Sequence, residues 1–158
     1  MMDHILNFVQ LTDSIGTSGQ PTAEQFADIA AAGYAAVVNL AVPDSHNAVA
    51  NEGSLVTATG MTYVQIPVKW DAPTIGDLQR FIKTMRALEG EPVFVHCAMN
   101  MRVSAFMYHY LTVEKGMSPE SARSPILEKW APKMDEVWKG FLAISPEAIR
   151  GDAPPSPR

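Results

Sequence analysis

Apolar runs of a few residues alternate along the chain with longer stretches whose apolar positions recur every three or four residues, and glycine, proline or a capping side chain marks most of the changes. Residues 5–11 and 16–19 read as short strands or extended entries. Gln20-Pro21-Thr22 sets up a helix over 23–32, with Thr22 as N-cap, Gln25 three residues on, Phe26, Ile29 and Ala30 on one face, and Gly33 at the left-handed C-terminal cap. Residues 34–41 form an almost unbroken apolar run, the pattern of a strand covered on both faces. The spacing then predicts a helix over 47–59 closed by Gly60 and a strand over 61–67. A helix capped by Thr74 comes next, running to about Leu88 and ended by Gly90, and then a strand over 92–96.

Residues 103–115 are apolar nearly all round, which predicts a central helix buried on most sides, stopped by Gly116. Ser118-Pro119 reads as an N-cap followed by proline at the first helical position, and two helices over 119–129 and 132–144 complete the pattern. Residues 151–158, with prolines at 154, 155 and 157, read as a disordered tail beyond a single domain over 1–150. Strands alternating with helices of this length imply an α/β sandwich, a central and mostly parallel sheet flanked by helices. In such sheets ligands bind beyond the carboxyl ends of the strands, so the ends of 61–67 and 92–96 are where chemistry is expected.

Composition narrows the choice. A chain of 158 residues, 47% hydrophobic and 18% charged, fills one core and argues against disorder for most of its length. A formal charge of −5 has the wrong sign for an extended nucleic-acid face, so any anion site is local. Cys97 is the sole cysteine, and His4, His46, His96 and His109 are too scattered for a zinc cluster, so neither a metal nor a cofactor is expected. No secretory signal and no transmembrane run is visible, and the expectation is a cytoplasmic protein without a membrane or nucleic-acid partner.

The segment after the last strand is Val93-Phe94-Val95-His96-Cys97-Ala98-Met99-Asn100-Met101-Arg102-Val103-Ser104. A strand feeding a short loop into a helix N-terminus turns successive N–H groups inward, a concave site for a tetrahedral oxyanion made from Ala98, Met99, Asn100, Met101 and Arg102. The same positive potential favours an ionised sulfur at Cys97, and the planar fork of Arg102 grips two phosphate oxygens at once. No glycine lies between Cys97 and Arg102, so Asn100 is expected to supply the left-handed residue of the turn.

HCAMNMRVS, together with the early SGQPTAEQFADIAAAGYAAVVNLAVPDS, resembles a bacterial family of small proteins related to dual-specificity and tyrosine phosphatases. That family is also found as the phosphatase-like domain beside β-lactamase-like hydrolase domains. The likeness covers roughly residues 14 to 115. It implies a cysteine-phosphatase fold, a phosphocysteine intermediate at Cys97, phosphate gripping by Arg102, and a phosphorylated protein or small molecule as substrate. The wider superfamily carries one more residue between Cys and Arg. The shorter loop is the common length in rhodaneses, so a sulfurtransferase using a Cys97 persulfide and a silent phosphate-binding module stand as alternatives.

A phosphatase of this kind also needs an acid for the leaving oxygen. The resemblance suggests Asp71, in the loop 67–73 beyond the strand 61–67; Asp44, after the strand 34–41, is the rival. Ser104 in the first helical turn is a candidate donor to the sulfur, and His96 a candidate support for the loop backbone. Met99 and Met101 are candidates for an apolar rim. Lys69, Arg80, Lys83 and Arg86 read as a basic island that either steers anions or forms a solvated helix face.

Overall fold

In the computed structural model, which describes residues 2–151, β1 (Val9–Gln10) and β2 (Ile15–Ser18) form a small hairpin, followed by α1 (Gln25–Ala31) and β3 (Ala36–Asn39). The chain continues through α2 (Glu52–Ala58), β4 (Thr62–Gln65), α3 (Ile75–Ala87), β5 (Val93–His96) and α4 (Met101–Val113). It finishes with α5 (Pro125–Trp130), a 3-10 turn at Ala131–Lys133, α6 (Glu136–Leu142) and α7 (Pro146–Arg150). Apart from Gly151, the expected tail lies outside the described residues.

The five strands lie in the order β1-β2-β5-β3-β4, with β1 antiparallel to β2 and the other neighbours parallel. Both faces are covered, as the apolar run at 34–41 requires: every residue of β3 and of β5 is buried. Val37 and Phe94 face a core shared with Phe26 and Ile29 of α1 and Val56 of α2. Val38, Val93 and Val95 face the larger core built from α3 to α7. β3 therefore exits toward α2 on one face and β5 toward α4 on the other. The crevice between two neighbouring strands that leave in opposite directions is where an open α/β sheet places its ligand.

Local signals explain most boundaries. Thr22 and Gln25 hydrogen-bond reciprocally, each side chain accepting from the other's N–H (3.3 and 2.9 Å), although α1 becomes regular only at Gln25. Gly33 takes the left-handed conformation at φ 99°. Thr74 and Asp77 form a full capping box ahead of α3.

The first strand is shorter than expected because Asn7 sits at φ 51°, which breaks the extended run after Ile5 turns into the core. The helix expected over 47–59 begins only at Glu52, since Asn51 is left-handed at φ 59°. The helix expected at 119–129 starts instead at Ser124-Pro125. Ser118-Pro119 closes a turn in which the Ser118 hydroxyl accepts from the N–H of Ser121 (3.3 Å). The same Ser-Pro signature recurs at 145–146 and starts α7, which sequence reading missed.

Phe106 of α4 is fully buried, with its ring stacked on Phe141 (4.9 Å between centroids) and edge-on to Phe81 (5.7 Å). Phe106→Ala is expected to lower the unfolding free energy by about 3 to 5 kcal/mol, the usual cost of emptying such a site. Urea denaturation at constant slope is the measurement, and a loss below about 1 kcal/mol would contradict this packing.

Candidate active site

A trans peptide is planar, so its C=O and the following N–H point to opposite sides. A loop whose carbonyls are pulled outward therefore aims its N–H groups inward. Between β5 and α4 this happens at consecutive residues. The Cys97 carbonyl accepts from His96 Nδ1 (3.1 Å), and the Ala98 carbonyl from Asn47 Nδ2 and the Gln20 N–H (3.0 Å each). The Met99 carbonyl accepts from Asn7 Nδ2 (3.0 Å), that of Asn100 from the Ser104 N–H (3.0 Å), and that of Met101 from the Ser104 hydroxyl (2.6 Å). Among the described residues, the N–H groups of Ala98, Met99, Met101 and Arg102 have no protein acceptor. They are free donors, the property that binds an anion at a helix start.

Asn100 sits at φ 69°, the left-handed position expected of it. Its side chain adds what glycine lacks: Nδ2 donates to the Asn7 carbonyl (2.8 Å) and to Thr17 Oγ1 (3.3 Å), tying the loop to the hairpin. Gly19 permits the close seat, because a Cβ there would lie 2.7 Å from the Ala98 carbonyl oxygen.

Cys97 (1% exposed) and Arg102 (5% exposed) open onto one cavity of about 350 Å³. Ala98, Met99 and Met101 of the loop line it together with Val42, Ser45 and His46 from the exit of β3 and Trp70 from beyond β4. Arg102 Nη1 donates to the Val68 carbonyl (2.7 Å), and its guanidinium lies 6.0 Å from the Trp70 ring centre. Trp70 stacks on Trp130 (5.4 Å), and its carbonyl accepts from Trp138 Nε1 (2.8 Å). The loop after β4 is thus held both by the arginine of the anion loop and by the tryptophans of α5 and α6.

Several expected residues stand elsewhere than expected. Asp71 and Asp44 are exposed and do not line the cavity, although each neighbours residues that do; His46, in the sequence only one of four scattered histidines, does line it. Ser104 does not donate to the sulfur: its hydroxyl turns back to the Met101 carbonyl, the short-range bond a first-turn serine readily makes. None of Lys69, Arg80, Lys83 and Arg86 lines the cavity, Arg80 lies beside Asp77, and Arg86 is paired with Glu114 (2.6 Å). Met99 and Met101 both line the cavity. Sequence reading missed the loop's anchors, Asn7, Gln20, Asn47 and, beyond His96, Glu52. Only the fold brings them to Cys97. Among the described residues no group of three metal-ligating side chains exists, and no helix is long and apolar enough to cross a membrane.

The single α/β domain, with its mixed central sheet flanked by helices, matches the fold of the dual-specificity and tyrosine phosphatases. Residues 11–138 match the family described as DSP-PTPase phosphatase fused to NAD+ kinase, and the chain belongs to that family. Its structure superposes on the DUF442 protein of Shewanella putrefaciens CN-32, assigned as a phosphatase, with TM-score 0.82 and 30% identity over 96% of this chain and 95% of the other. TpbA of P. aeruginosa, solved in complex with pTyr, shares the fold at TM-score 0.70 and 16% identity, over 93% and 90% of the two chains. The β-lactamase hydrolase-like protein of Xylella fastidiosa (strain Temecula1) is 31% identical over 101 residues, which are 61% of this chain. The chain spans about a quarter of that relative's length.

Asn100→Ala forces a left-handed alanine, at roughly 1 to 2 kcal/mol, and deletes two hydrogen bonds worth about 1 kcal/mol each. Asn100→Gly should recover the backbone part alone. Chemical denaturation of the two variants is the check, and equal stabilities would contradict a conformational role.

Proposed function

We propose that the protein is a cysteine-dependent phosphatase acting on a phosphomonoester, a phosphorylated protein side chain or small molecule, through a phosphocysteine intermediate. The observation that supports this most is the shared cavity: one sulfur, four unpaired N–H donors and one guanidinium around a volume that suits a phosphoryl group with an apolar substituent. The Cys97 thiolate attacks phosphorus, the S–P bond forms as the P–O bond to the leaving group breaks, and the leaving oxygen takes a proton. Water then attacks phosphorus, the S–P bond breaks, and inorganic phosphate and the thiolate are released. The Arg102 guanidinium and the N–H groups of Ala98, Met99, Met101 and Arg102 hold the equatorial oxygens throughout, where charge develops.

Asp71 is the proposed proton donor. It follows Trp70 directly, and the loop carrying it is tied to Arg102 through the Val68 carbonyl, so a rearrangement around one bound phosphoryl group would carry both. A donor matters little for a leaving group as acidic as p-nitrophenol and much for an alkyl alcohol. Asp71→Asn should lower kcat by about 10² to 10⁴-fold on an alkyl or tyrosyl phosphate, and far less on p-nitrophenyl phosphate. If Asp44→Asn or His46→Asn shows that contrast and Asp71→Asn does not, the assignment to Asp71 is wrong.

Cys97→Ser is expected to abolish phosphate release from p-nitrophenyl phosphate while still binding orthovanadate or phosphate. Thiosulfate with cyanide should yield no cysteine-dependent thiocyanate. Thiocyanate formation would identify a sulfurtransferase, and anion binding without either turnover a binding module.

A further inference from the structure

Glu52 is the one carboxylate buried among the described residues, 6% exposed at the start of α2. One of its oxygens accepts from Gln20 Nε2 (2.7 Å) and the other lies 2.6 Å from Nε2 of His96, itself fully buried. The left-handed Asn51 ends the irregular segment 47–51, so the same stretch delivers Asn47 to the Ala98 carbonyl and Glu52 to His96. A buried carboxylate is costly unless each oxygen is satisfied, and here both are.

Hydrogen-bond logic fixes what the pair does. The Cys97 carbonyl can only accept, so His96 Nδ1 carries a hydrogen, and the 2.6 Å contact with Glu52 Oε2 fixes the ring at its other nitrogen. Without a partner at Nε2 the ring is held at Nδ1 alone, and a rotation of the ring or a move of its hydrogen to Nε2 takes the donor away from the Cys97 carbonyl oxygen. The 97–98 peptide would then turn, and the Ala98 N–H would leave the cavity.

Resting on the phosphatase reading, we propose that Glu52 is a positioning residue of the anion loop: acting through His96, it holds the Cys97 carbonyl outward and thereby keeps the Ala98 N–H aimed at the transferred phosphoryl group. Gln20 assists by holding the other carboxylate oxygen.

Two substitutions test this. In Glu52→Leu nothing meets Nε2. In Glu52→Gln the amide oxygen keeps the Gln20 donor, and the NH2 donates to Nε2, which retains the hydrogen on Nδ1. Glu52→Leu should lower kcat on p-nitrophenyl phosphate by about tenfold to a hundredfold, the scale of losing one oxyanion donor, with KM changing less. It should weaken orthovanadate inhibition by a similar factor. Glu52→Gln should restore both to within about threefold of the unmodified protein, as expected when the hydrogen bond and not the charge is required. A His96→Asn background, whose amide can itself donate to the Cys97 carbonyl, should make the Glu52→Leu effect vanish.

Full activity in Glu52→Leu, or a loss in Glu52→Gln as deep as in Glu52→Leu, overturns the proposal, and the second result is readable even if the leucine variant does not fold. Should the unmodified protein turn over no phosphomonoester, orthovanadate binding followed by tryptophan fluorescence reads the same contrast. The phosphatase reading then fails while the role of Glu52 is still decided.

Discussion

The site depends on one constraint: the carbonyls of residues 97–101 are each held away from the cavity. Peptide planarity converts those outward bonds into inward donors, with no glycine in the loop to relax the geometry. The anchors come from every side. His96 is on the strand, Asn7 and Gln20 are near the hairpin, Asn47 is at the exit of β3, and Ser104 is on α4 itself. A donor array fixed in this way before substrate arrives has little reorganisation left to do when charge develops on phosphorus.

The sheet order places those anchors within reach. β5 lies between β2 and β3, so the residues just past β2 (Gly19, Gln20), those past β3 (Val42, Asn47) and the loop after β5 meet at one edge. β4 is next to β3, and its exit brings Val68 and Trp70 over Arg102. The C-terminal helices contribute Trp130 and Trp138 as the backing of Trp70. Trp70 is still 43% exposed, an aromatic lining residue of the cavity that is stacked on Trp130.

Elements with strong local signals were legible in the sequence. The apolar runs of β3 and β5, the capping box at Thr74 and the buried character of α4 derive from period, caps and glycine positions, and Asn100 was readable because the loop lacks glycine. The C-terminal part was less legible. Ser-Pro occurs at 118, 124, 145 and 156, and the dipeptide cannot by itself say which copies start a helix, as those at 124 and 145 do, and which only turn, as that at 118 does. The chemical segment from His96 to Ser104 was legible because it is contiguous, whereas its anchors at 7, 20, 47 and 52 are common polar residues whose partners lie far along the chain. A short-range alternative also won at Ser104, whose hydroxyl found the Met101 carbonyl before it could reach the sulfur.

The central claim is that the loop is a preformed oxyanion cradle around the sulfur of Cys97. A crystal structure of the protein with orthovanadate tests it most directly. The account predicts vanadium bonded to Cys97 Sγ, with equatorial oxygens accepting from the N–H groups of Ala98, Met99, Met101 and Arg102 and from the Arg102 guanidinium. Vanadate bound elsewhere, or a loop whose N–H groups face solvent while the sulfur stays unbonded, would contradict it.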